Sequence, residues 1–141
     1  MIEAGLAQYL DNQEVLVFDE TGTSGDVFIN VLPSDPDKAV GIFSQGGSAP
    51  SPKFVEQTTD LQFLVRGGPD PRTSEDFAQS IFNYLHGLTQ ENLPDGSYLL
   101  QARAMQGKPI HVGRDDNGRH RFSVNIRLRY EDETIHRPKN Y

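Results

Sequence analysis

A chain of 141 residues fits one domain and is long enough to bury a core of its own. It has no cysteine, which excludes disulfides, thiolate metal sites and a thiol nucleophile. A formal net charge of −7 argues against non-specific nucleic-acid binding, which needs an excess of Lys and Arg over the contact surface, although a local basic patch is compatible with it. The first residues, Met1-Ile2-Glu3-Ala4-Gly5, lack the basic start and apolar run of a signal peptide, and no stretch is long enough to span a membrane. A soluble protein made in the cytoplasm is expected.

Ile2, Leu6, Tyr9 and Leu10 recur at helical spacing, so residues 1–10 read as a short amphipathic helix ending at Asp11-Asn12. Residues 15–18 are a brief apolar strand candidate, and Gly22-Thr23-Ser24-Gly25 is a turn into a second strand at 27–32. Pro33-Ser34-Asp35-Pro36-Asp37 turns the chain again into a strand at 39–43. Both of these strands are expected to be buried. Residues 45–53, rich in glycine, proline and serine, form a loop with Phe54 and Val55 at its exit. Phe54 either anchors that loop to the core or waits for a partner.

The rest of the chain is organised around residues 59–87. In the strand 61–66, Leu61, Phe63 and Val65 share one face and Gln62 and Arg66 the other, with Leu64 breaking the alternation. Gly67-Gly68-Pro69-Asp70-Pro71 leads into a helix over about 74–86, whose stripe of Phe77, Ile81, Leu85 and Leu88, with Ala78 and Phe82 beside it, can lie on a sheet. Thr73 is the expected N-cap, Glu75 and Asp76 suit the positive end of the dipole, and His86-Gly87 is the stop. Leu93-Pro94-Asp95-Gly96 turns into a strand at 98–105, closed by Gln106-Gly107-Lys108-Pro109. A hairpin follows, with 110–113 before Asp116-Asn117-Gly118 and a long strand, 119–130, after it. These elements make residues 1–130 one domain, with 131–141 a charged tail that is mobile or held by a partner.

No catalytic constellation emerges. His86, His111, His120 and His136 fall in different elements without metal-ligand spacing, and Asp115-Asp116-Asn117-Gly118 lacks the alternating ligands of a calcium loop and reads as a hairpin turn. Gly46-Gly47-Ser48 and Gly67-Gly68 do not form a phosphate-cradling loop, and no serine sits in a nucleophile elbow. No catalytic residue, cofactor or metal is therefore assigned. The informative segment is the last strand. His120, Phe122, Val124, Ile126, Leu128 and Tyr130 take one face, and Arg119, Arg121, Ser123, Asn125, Arg127 and Arg129 the other. That arginine row is a solvated face, a subunit interface that pairs with carboxylates of a neighbour, or a surface for nucleic acid.

Several stretches together resemble the phage minor capsid proteins and tail terminators. They are Val27-Phe28-Ile29-Asn30-Val31-Leu32-Pro33 with Pro36-Asp37-Lys38-Ala39-Val40, residues 55–66, the helix ending in His86-Gly87-Leu88, and Gly113-Arg114-Asp115-Asp116-Asn117-Gly118-Arg119 leading into Phe122-Ser123-Val124-Asn125. The resemblance covers residues 1–128 and leaves out the tail after Tyr130. It implies an α+β fold, a mixed and mainly antiparallel sheet packed against a central amphipathic helix and a short N-terminal helix. It implies no enzyme, but a virion structural protein that assembles as a ring, most often a hexamer, seats on the tail-tube protein and meets the head-completion (stopper) protein. The genome would pass through an acidic lumen without tight binding. Loop 43–54, hairpin 108–119 and the charged tail are the expected contact surfaces, and Phe43, Phe54, Arg119, Arg121, Arg127 and Arg129 the expected contact residues. A neighbouring head-completion role, and a nucleic-acid module using the arginine face, are the alternatives.

Overall fold

A computed structural model of the chain describes residues 1–21 and 24–139, so Gly22 and Thr23 of the expected turn lie outside the described residues. The strict alternation of two long strands organises the rest. β3 (Glu56–Arg66) and β7 (His120–Glu131) run antiparallel, with Leu61 opposite Ile126, Phe63 opposite Val124 and Val65 opposite Phe122. Before them come α1 (Ile2–Asn12), β1 (Val27–Ile29) and β2 (Ala39–Ser44); between them lie α2 (Pro71–Leu85), β4 (Thr89–Asn92), β5 (Tyr98–Ala104) and β6 (Ile110–Arg114). Among the described residues the strands form one sheet in the order β1-β2-β3-β7-β5-β4, with β6 also paired to β7. Only β1 and β2 are parallel neighbours, so the sheet is mixed and mainly antiparallel, and with its two helices the fold is α+β as expected.

β5 and β6 share the edge of β7 away from β3: β5 pairs with its second half and β6 with its first. Between them the side chain of Gln106 supplies the missing ladder. Its Nε2 donates to the Ser123 carbonyl (2.7 Å) and its Oε1 accepts from the Asn125 amide (3.2 Å). Both helices bury their apolar stripes in a single core: Leu6 and Leu10 from α1 and Phe77, Ala78, Ile81 and Leu85 from α2 join Phe63, Val65, Leu99, Ile126 and Leu128 of the sheet. Burying a side chain of this size contributes roughly 1.5–3 kcal/mol. The opposite face of the sheet carries the polar half of the alternation.

Three local expectations need correction. α2 begins at Pro71, and its cap is Asp70, whose carboxylate accepts the Arg72 amide (2.9 Å), not Thr73. Pro71 explains this, because its fixed φ and missing N–H suit the first helical position. Ser74, expected as the first helical residue, is buried and works as a tie: its Oγ accepts the Gly67 amide (2.8 Å) and donates to the His120 carbonyl (2.9 Å), fastening the end of β3 to the start of β7. A Cβ on Gly67 would stand 2.7 Å from the Ser74 backbone nitrogen, so only glycine allows this approach. The stop is as expected, with Gly87 at φ +91°.

Residues 15–18 form no strand. Val17 donates to Asp26 Oδ1 (2.8 Å) and accepts from the Asp26 amide (2.9 Å), the Val15 and Phe18 amides turn back to the Leu10 carbonyl and Asp11 Oδ2 (both 3.0 Å), and Leu16 drops into the core. The strand expected over 27–32 stops at Ile29, because Asn30 turns left-handed (φ +62°). Leu64 is the apolar exception on the polar face of β3, as expected, half-buried opposite Ser123. The sequence also gave no sign of β4, whose Thr-Gln-Glu-Asn has no apolar alternation and is a strand only because β5 lies beside it.

Candidate functional site

Because the helices cover one face, the even-numbered residues of β3 and the odd-numbered residues of β7 make up the open one. Glu56, Asp60, Gln62, Leu64 and Arg66 lie there beside Arg121, Ser123, Asn125, Arg127 and Arg129, with Gln101 and Arg103 of β5 alongside. Five arginines in an acidic chain thus collect on one surface, as the sequence indicated for β7.

The strand register supplies several of them with partners from the same chain. Asp60 stands opposite Arg127 and takes a forked pair of hydrogen bonds, from Nε at 2.8 Å and Nη2 at 3.1 Å. The Arg127 hydrogen bonds hold the Asp60 carboxyl below its usual range. Arg129 pairs with Glu56 at 3.3 Å. Arg119, just ahead of β7, is only 6% exposed and spends its donors inside the fold, on Asp115 (2.8 Å), Asp37 (3.1 Å) and the Ser34 carbonyl (2.6 Å). Arg121 differs. Among the described residues its side chain has no hydrogen bond or ion pair, and its Nε is buried without an acceptor. The counterions Asp60 and Glu56 went unnoticed in the sequence because they precede the apolar run from which β3 was recognised.

The Asp115-Asp116-Asn117-Gly118 segment is the hairpin turn expected. Asp115 Oδ1 accepts the amides of Asn117 and Arg119, both at 2.9 Å, and Gly118 takes φ +76°. The hairpin also brings together two histidines that the sequence treated as separate: His111 Nε2 and His120 Nδ1 are 2.9 Å apart, with the edge of Phe122 against His111.

The other two expected contact residues lie elsewhere. Phe43 in β2 is half-buried on the open face opposite Gln62. Phe54 is 68% exposed, so it does not anchor its loop; the buried Val55 does. The tail, expected to be mobile or partner-bound, packs on this same region in its described part: Arg137 donates to the carbonyls of Phe54 (2.6 Å) and Glu56 (3.1 Å), and the Asp132 amide to that of Val55 (3.2 Å).

Residues 9–132 match the family model of the bacteriophage tail terminator protein. No curated protein matches the sequence. The matched span takes in every strand of the sheet, the central helix and the arginine face, and the chain belongs to the bacteriophage tail terminator family.

Proposed function

We propose that this phage tail structural protein caps the tail tube as a ring of six copies and joins it to the head-completion (stopper) protein at the head–tail joint of the virion, after assembly in the host cytoplasm. The observation that carries the reading is the family match over residues 9–132. The protein acts by assembly and not by catalysis, which agrees with the structural character of the family. Residues 1–130 serve as the ring-forming unit and 131–141 as an appendage to it. Phe43, Phe54, Arg121, Arg127 and Arg129 lie on the contact surfaces, and Arg119, buried with its donors spent inside the fold, stands behind them. With the arginines engaged between subunits, the remaining acidic surface faces the lumen, where it repels phosphates and lets the genome pass.

Light scattering after size exclusion, on the protein alone and mixed with its tail-tube protein, tests this. Six copies of 15.8 kDa give a species of about 95 kDa, and tubes polymerised with the protein present stay short and capped in electron micrographs. A persistent monomer that leaves tube length unchanged would overturn the reading in favour of a neighbouring head-completion role. Steep, salt-sensitive duplex binding would favour the nucleic-acid alternative instead.

A further inference from the structure

At the end of the open face where β3 and β7 meet the 115–119 turn, a pocket of about 280 Å³ is lined by Leu32, Leu64, Arg66, Asp115, Arg119 and Arg121, among others. Its floor is unusual in its charges. Arg66 and Arg121 are directly opposite each other in the β3–β7 ladder, a like-charge pair that is unfavourable by itself. Among the described residues neither makes a salt bridge to a carboxylate. Arg66, only 3% exposed, donates to the neutral carbonyls of Asp37 (2.9 Å) and Pro36, and the buried Nε of Arg121 has no acceptor among the described residues. The carboxylates of Asp37 and Asp115 are hydrogen-bonded to Arg119. Burial and then the charge of Arg119 lower the pKa of Arg66, against the opposing pull of Asp115, Asp37 and Asp35.

We propose that this pocket is a receptor for a single carboxylate, an acidic side chain of a partner protein, held by Arg121 over the buried Arg66. A guanidinium left without an acceptor is the group that planar carboxylates engage in a forked pair. The aliphatic walls of Leu32 and Leu64 suit the stem of a glutamate side chain. The aspartates on the rim, Asp115 and Asp116, oppose a doubly charged phosphate more than a singly charged carboxylate. The proposal stands on the pocket alone and does not depend on ring formation.

The test uses the intact protein and N-acetyl-glutamate N-methylamide as probe, with phosphate and chloride at matched ionic strength as comparisons. Binding is read as the arginine Nε–H resonances in nitrogen-15 spectra and as the melting temperature. The expected result is a saturable shift of the Arg121 resonance and a rise of roughly 4 °C at ten times Kd, with chloride inert and phosphate weaker. Arg121→Gln should abolish both responses, yet melt no lower than wild type without probe, because it relieves the like-charge pair; a purely structural Arg121 would melt lower. Arg121→Lys, which keeps the charge and loses the fork, should weaken the probe at least tenfold. No saturable shift in the wild type, an equal response in Arg121→Gln, or tighter binding of phosphate would each overturn the proposal.

Discussion

The hydroxyls of Thr59 and Tyr130 lie 2.9 Å apart, both buried on the core side of the β3–β7 ladder. Each satisfies the other, so removing one leaves the survivor desolvated and unpaired. Tyr130→Phe is expected to lose about 1–2 kcal/mol in urea unfolding while the native circular dichroism is kept. Asp60 answers to a different variable. Its carboxyl is held below the ordinary range by the Arg127 hydrogen bonds, so its folded pKa lies under the unfolded value of about 3.9. Stability from this pair is complete above the unfolded pKa and is lost as pH falls through the folded one. Thermal melts across the acid range should therefore show a shallower loss for Asp60→Asn than for wild type, with the variant already less stable at neutral pH. Equal acid slopes would mean that Arg127 does nothing for Asp60 beyond what solvent does.

At the scale of the elements, the start of α2 separates two capping readings. Asp70→Ala removes the acceptor of the Arg72 amide, whereas Thr73→Ala touches a side chain that caps nothing. The first should lower the melting temperature and the second leave it within error; the reverse order would restore Thr73 as the cap. What the sequence made legible followed from periodicity. The apolar faces of β3, α2 and β7 repeat cleanly, so the central unit and the antiparallel sheet could be read with the arginine row in place. Elements made by their neighbours were not legible. β4 has no pattern of its own, and residues 15–18 have a strand's composition but bond to the end of α1 and to Asp26 instead of to a strand. The site failed for the same reason. Periodicity puts Arg121, Arg127 and Arg129 on one face, but only the register shows that Asp60 lies against Arg127 while Arg121 faces Arg66.

Across the whole molecule, charge is segregated. The chain is −7 overall, yet the open sheet face sets Arg66, Arg103, Arg121, Arg127 and Arg129 against Glu56, Asp60 and Glu131. Copies of such a molecule attract when the arginine face of one meets the acidic surface of the next, and repel in other orientations. In the proposed ring this selects a head-to-tail contact, which closes instead of stopping at a dimer. A contact of that kind is sensitive to screening, because the Debye length shrinks from about 10 Å at 0.1 M salt to about 3 Å at 1 M. Light scattering of the assembled protein should then show its mass falling toward the 15.8 kDa monomer between those two salt concentrations. A mass that holds or rises in 1 M salt would assign cohesion to apolar contacts instead, with the exposed Phe54 and the half-buried Phe43 the side chains to replace next, since salt does not weaken apolar burial.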